Sequence, residues 1–155
     1  MTTETTDAVD LAILRELQRD GRLTTRQLAM RVHRSPTSVF ERVKRLENEG
    51  FIHRYTAVLD ADKLGRGFVV YCQVKLRLMN KSIADDFVSR VASIPEVTEC
   101  YNVSGSFDYL LKIHARSMET YRQFLLDKLG TIDALGSVES TFVMSQIKHD
   151  YSIPL

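Results

Sequence analysis

Residues Leu23–Ile52, LTTRQLAMRVHRSPTSVFERVKRLENEGFI, narrow most what this chain can fold into, because they spell two short helices joined by a tight turn. Thr24 is placed to cap the first helix, and Gln27 three residues later completes a capping box. Leu28, Ala29 and Val32 then share one helical face. The second helix begins at Ser35, with Pro36 at the first helical position, where a missing N–H costs nothing. Val39, Val43 and Leu46 recur at helical spacing and point inward. Gly50 stands where a left-handed stop is expected, and Phe51-Ile52 opens an apolar run that packs back.

The other face of the second helix carries the chemistry. Thr37, Ser38, Glu41, Arg42 and Arg45 lie opposite the apolar stripe, behind the Ser35-Pro36 start. Such a mixture of hydrogen-bonding and cationic side chains suits the major groove, where base edges present distinguishable donors and acceptors. Between Arg22 and Arg54 stand eight Arg and Lys residues against three Glu, a local balance of +5. A merely solvated helix pair could carry those charges too. The turn, the cap and the charge together point to double-stranded DNA, with Thr37, Ser38, Glu41, Arg42 and Arg45 near bases and Arg26, Arg34, Lys44 and Arg54 near phosphates.

Net charge over all 155 residues is only +1, so a polyanion partner is indicated locally and not by composition. No apolar stretch is long enough to span a membrane. The start, MTTETTDAVD, lacks the cationic and apolar parts of a secretory signal. Cys72 and Cys100 offer no disulfide framework, and no close Cys/His spacing suggests a metal. These features predict buried thiols, no metal and no cofactor, and a cytoplasmic, nucleoid-associated protein.

Met1–Thr6 is polar and expected to be loose. Asp7 can cap a helix with Val9, Ile13, Leu14 and Leu17 as its stripe, ending near Gly21 and giving the helix-turn-helix a third member. FIHRYTAVLD after Gly50 is β-rich, and its first part can form a wing. Asp60–Gly67 has the turn content of a linker, so the division predicted is residues 1–60, a linker 61–67, and a second domain 68–155. In that domain Phe68–Leu78 alternates as a half-buried strand, with Val70, Cys72, Val74, Leu76 and Leu78 inward. Ser82 with Asp85 opens a helix carrying Ile83, Phe87, Val88, Val91 and Ala92. Val97–Val103 and Asp108–Ala115 are strands around a Ser104–Phe107 turn. Ser117 opens a helix with Tyr121, Phe124, Leu125 and Leu129, and Val138–Ile147 is the last strand, with Val138, Phe142 and Met144 on one face. Strand, helix, strand, strand, helix, strand predicts a ferredoxin-like α+β sandwich. Tyr71, Tyr101 and Val143 fall on the sheet face away from the helices, which implies that another subunit covers it. The alternative is a monomer with exposed aromatics.

SPTSVFERVKRLENEGFIHRYTAVLD followed by a βαββαβ domain containing VSGSFDYLLKI resembles the Lrp/AsnC (feast/famine) family of transcriptional regulators from Asp7 to Lys148. The resemblance implies an N-terminal winged helix-turn-helix followed by a βαββαβ ligand-binding and oligomerisation domain. It implies a homodimer assembling further to an octamer, an amino-acid effector bound between subunits, and a two-fold β-ribbon at Tyr55–Leu59. The family's Gly-x-x-Asp turn falls on Gly105, Ser106, Phe107 and Asp108. There a glycine turn admits a ligand carboxylate to backbone N–H groups, and Asp108 can pair with an α-ammonium. Tyr101, Val103, Ser104 and Phe107 would shape the pocket, with Thr141 and Val143 contributing from the last strand. The bland alternative is a hairpin that Asp108 merely caps. Where the family commonly carries glycine between its DNA-binding helices, this chain has His33-Arg34, which predicts a strained turn or a phosphate contact.

A tetrapyrrole decarboxylase group also resembles this family. Yet nothing in the sequence brings His53, His114, Tyr101 and Asp108 together with an activating partner, so an enzyme is not expected. An architectural protein that compacts DNA with little effector control is the nearer alternative.

Overall fold

The computed structural model describes residues 6–155. Apart from Thr6, the segment expected to be loose lies outside the described residues. The chain forms two compact units, one running up to Val58 and including Lys148–Leu155, the other Leu59–Ile147.

In the first unit α1 (Ala8–Arg19), α2 (Thr25–Arg31) and α3 (Pro36–Asn48) begin at Asp7, Thr24 and Ser35, as local capping rules require. Each cap's side-chain oxygen accepts from backbone N–H groups in its helix's first turn, and Asp7 and Thr24 each complete a capping box. Ile13, Leu28, Ala29, Val39 and Leu46 form the buried centre, with Val9, Leu17, Val43 and Ile52 packed around it. Gly50 takes φ +79°, and the Ile52 N–H then returns to the Leu46 carbonyl. The wing segment forms no strand. Residues 51–60 have no ladder partner among the described residues, and the Tyr55 hydroxyl instead donates to Glu47. A lone extended segment has nothing to pair with inside one chain. Lys148–Leu155 groups with this unit, outside the sheet domain expected to include it. The Arg15 guanidinium donates twice to the Leu155 carbonyl, and Gln18 exchanges hydrogen bonds with Ile153.

The second unit is the ferredoxin-like sandwich: β1 (Phe68–Leu76), α4 (Lys81–Ala92), β2 (Val97–Asn102), β3 (Tyr109–Ala115), α5 (Met118–Asp127) and β4 (Leu135–Phe142). The antiparallel sheet has the order β2-β3-β1-β4. Val70, Cys72, Val74, Leu76, Leu111 and Ile113 meet Phe87 and Val91 of α4 and Tyr121 and Phe124 of α5. Inside this core the Tyr121 hydroxyl lies 2.7 Å from Cys72 Sγ and 2.6 Å from Ser140 Oγ, so its buried oxygen has partners.

Several expected boundaries move. β1 ends at Leu76, leaving Leu78 exposed. The α4 cap is Asn80, whose side chain accepts from the Ile83 N–H, and not Ser82. Ile83, Phe87 and Val91 pack on the core, whereas Val88 and Ala92, expected to join them, are exposed. β4 begins at Leu135 because Arg77 ties its entrance down, backbone N–H to the Ala134 carbonyl and Nε to the Leu135 carbonyl. The strand is therefore over by Phe142, and Met144 is 95% exposed. Cys72 is buried as expected, but Cys100, on the edge strand β2, is exposed.

Candidate DNA-binding and effector sites

On the first unit, Thr37, Glu41 and Lys44 stand on the exposed side of α3, and Ser38 is half-buried at its edge. Ser35 spends its hydroxyl on the Ser38 N–H, and Pro36 occupies the first turn. Arg26, Arg34 and Arg54 are exposed, and the Arg34 guanidinium folds back on the His33 carbonyl.

Arg42 and Arg45, expected near bases, instead turn to α1. Arg42 Nη1 donates to Asp7 Oδ2 and Asp10 Oδ1, each at 2.7 Å, and Arg45 Nη2 donates to Asp10 Oδ2 at 2.6 Å. Asp10 is 1% exposed. Burial raises its pKa, but hydrogen bonds from Arg45, the Asp7 N–H and Arg42 outweigh that and hold the carboxyl below its ordinary 3.8. The two arginines thus fix how α3 lies on α1. The expectation missed Asp10 as their partner because it stands 32 and 35 residues away in sequence.

The connection between α2 and α3 is strained as expected. His33 has φ +53°, the only positive value outside glycine among the described residues. It sits just past the end of α2, where the Arg34 N–H reaches back to the Ala29 carbonyl in a Schellman arrangement that glycine serves best. Replacing His33 with glycine removes a left-handed penalty of about 1 kcal/mol, offset in part by a more flexible unfolded chain. A thermal melt of His33→Gly should show a rise of a few degrees, and a lower midpoint would mean that the imidazole itself stabilises the turn.

On the second unit the turn between β2 and β3 is held at its ends. The Val103 N–H donates to the Asp108 carbonyl, the Asp108 N–H to the Val74 carbonyl, and the Leu76 N–H to Asp108 Oδ2 at 2.8 Å. Between these ties Gly105 takes φ +130°, and the N–H groups of Ser104, Gly105, Ser106 and Phe107 have no acceptor among the described residues. Val103 and Phe107 are half-buried beside it. Tyr101 is 51% exposed and donates to Glu99, which also binds the buried Lys112 at 2.9 Å. Thr141 and Val143 do not join this cluster within the chain. Thr141 pairs with Tyr71 and Val143 bonds Val69, on the far edge of the sheet and toward its other end. Three strand spacings, about 14 Å, separate β4 from β2.

Among the described residues no group of acidic, His or Cys side chains is arranged to hold a metal, and no helix is long and apolar enough to cross a membrane.

A helical head with a cationic face, joined to a ferredoxin-like domain with an open glycine turn, defines a DNA-binding regulator with a ligand domain. Comparison with known proteins gives the family. Residues 6–53 match the winged helix-turn-helix DNA-binding family, and residues 69–153 match the Lrp/AsnC ligand binding domain. The chain is 36% identical over 149 residues to the transcriptional regulator AzlB of Bacillus subtilis, covering 96% of this chain and 95% of that one. It is 39% identical over 142 residues to the leucine-responsive regulatory protein of Klebsiella pneumoniae, covering 92% and 87%. Among solved structures, a Neisseria meningitidis transcriptional regulator in complex with L-Met superposes with a TM-score of 0.92 at 35% identity, covering 97% of each chain. The protein belongs to the Lrp/AsnC family of transcriptional regulators.

Proposed function

We propose that this regulator binds its operators as a homodimer or a higher assembly such as an octamer, in the cytoplasm and on the nucleoid, and that an apolar amino acid modulates its DNA binding or assembly. The observation carrying the effector reading is the row of four unengaged N–H groups at Ser104–Phe107 beside Asp108. They suit a carboxylate, while the free side of the Asp108 carboxylate suits an ammonium. Tyr101, Val103 and Phe107 favour an apolar side chain, in keeping with the relative solved with L-Met. Thr141 and Val143 enter such a pocket only from a neighbouring subunit. On DNA, Thr37, Ser38 and Glu41 read bases from the helix that Ser35 and Pro36 start, and Arg26, Arg34, Lys44 and Arg54 hold phosphates. Arg42 and Arg45 set the helix orientation and reach bases only by leaving Asp10.

A thermal-shift screen against the common amino acids tests the effector. A ligand at a hundred times its Kd should stabilise by about 2.7 kcal/mol. Asp108→Asn is the informative variant, because it keeps an acceptor for the Leu76 N–H while removing the charge, whereas alanine also orphans that N–H. Loss of the ligand-induced shift in Asp108→Asn, with an unchanged ligand-free midpoint, is the expected result. If no amino acid raises the midpoint, the turn is only a hairpin, and the protein is better read as a DNA-organising regulator.

A further inference from the structure

α3 packs Val39, Val43 and Leu46 on the core of the head. Phe40 is left outside that core: it is 57% exposed, and no other aromatic ring stacks on it among the described residues. Phenylalanine is a middling helix former with no polar group for water to solvate, so propensity favours Lys, Glu or Gln at such a position. Its helical neighbours three and four residues away are Thr37 and Lys44, and Glu41 follows it, all exposed. Phe40 also lines a groove with Leu23 and Thr25, around the start of α2, and the next residue there, Arg26, is exposed.

Phe40 therefore stands between the α3 side chains read above as base contacts and the α2 start read as a phosphate contact. The group of B-DNA that suits this place is the thymine 5-methyl. It is the apolar feature of the major-groove edge, and C5 lies on the side of the base nearer its own backbone. An exposed ring and an exposed methyl that meet there both leave water. We propose that Phe40 is a specificity-determining residue of this regulator, packing on the 5-methyl of one thymine in each half-site and so favouring thymine over cytosine at that position. The inference rests on the reading of α3 as the base-reading helix, and it adds an apolar contact to the polar ones of Thr37, Ser38 and Glu41.

The test is fluorescence anisotropy of the full chain on a duplex selected from a random pool, with each thymine replaced in turn by uracil. That swap deletes the methyl and keeps every hydrogen-bonding group. At one thymine per half-site it should weaken wild-type binding about fourfold, the worth of one buried methyl. Phe40→Ala should bind the thymine duplex more weakly than wild type and be indifferent to the same swap. Phe40→Gln, which suits an exposed helical position, should behave alike and decides the matter if the alanine variant melts well below wild type. Methyl responses that are the same in wild type and in both variants at every thymine would overturn the proposal. If Thr37→Ala meanwhile relaxes base preference, α3 still reads bases and only the role of Phe40 falls; if no sequence is selected from the pool, both readings fall. A smaller species on sedimentation of Phe40→Ala, with methyl responses unchanged, would overturn the proposal in favour of a subunit contact at this ring.

Discussion

Asp10→Ala is expected to destabilise the DNA-binding head by about 2–3 kcal/mol, a large fraction of what a domain of this size possesses. The carboxylate is buried and accepts from Arg42, from Arg45 and from the Asp7 N–H, so its removal takes one acceptor from each of three donors, leaving Arg42 its bond to Asp7 and Arg45 its longer pair with Glu49. For so small a unit the midpoint should fall by roughly 10–20 °C. DNA affinity should fall with it, because α3 loses the brace that fixes its angle on α1. The pH dependence has a definite sign. The folded-state pKa of Asp10 is depressed, so its contribution is complete above the ordinary 3.8 and is lost as pH falls through the folded value. The wild-type head should therefore lose stability on acidification more steeply than Asp10→Ala does. Arg42→Ala should weaken binding to all DNA sequences alike, whereas loss of a base reader relaxes one position of the site. A melt of Asp10→Ala within about two degrees of wild type, or a relaxed base preference in Arg42→Ala, would show that the arginines serve DNA and not α1.

Tyr71→Asp should break the proposed assembly. Tyr71 lies mid-strand on the face opposite the helices, between Thr141 and Lys112, and is half-buried in the single chain. A carboxylate there would be desolvated against a second sheet at a cost of several kcal/mol. Sedimentation should report monomers, and affinity for a two-half-site duplex should drop about a hundredfold as one head loses its tethered partner. An assembled variant with unchanged DNA affinity would place the subunit interface elsewhere.

What was legible in the sequence was local. Caps at Asp7, Thr24, Ser35 and Ser117 depend on residues three apart, and the alternation of Val70, Cys72, Val74 and Leu76 depends on residues two apart. What was not legible depended on pairings made at a distance. β4 starts at Leu135 because Arg77 holds it there, and Arg42 and Arg45 turn inward because Asp10 is buried beneath them. The Asn80 cap is a different miss. Asparagine is as good a cap as serine, so the residues alone did not separate Asn80 from Ser82, and the Asn80 side chain is the one that accepts from the Ile83 N–H. The Gly105–Asp108 turn was read as a candidate effector site from the family resemblance, but the tie from the Leu76 N–H to Asp108 crosses strands and could not be read along the chain.

The most direct measurement of amino-acid-modulated DNA binding is fluorescence anisotropy of the full chain on a duplex selected from a random pool, at one fixed salt concentration because phosphate contacts make affinity steeply salt-dependent. It should be repeated with each common amino acid at saturation. A shift in affinity of fivefold or more with one or a few apolar amino acids, abolished in Asp108→Asn, is the predicted result. Tight, selective DNA binding whose affinity and footprint no amino acid changes would contradict it.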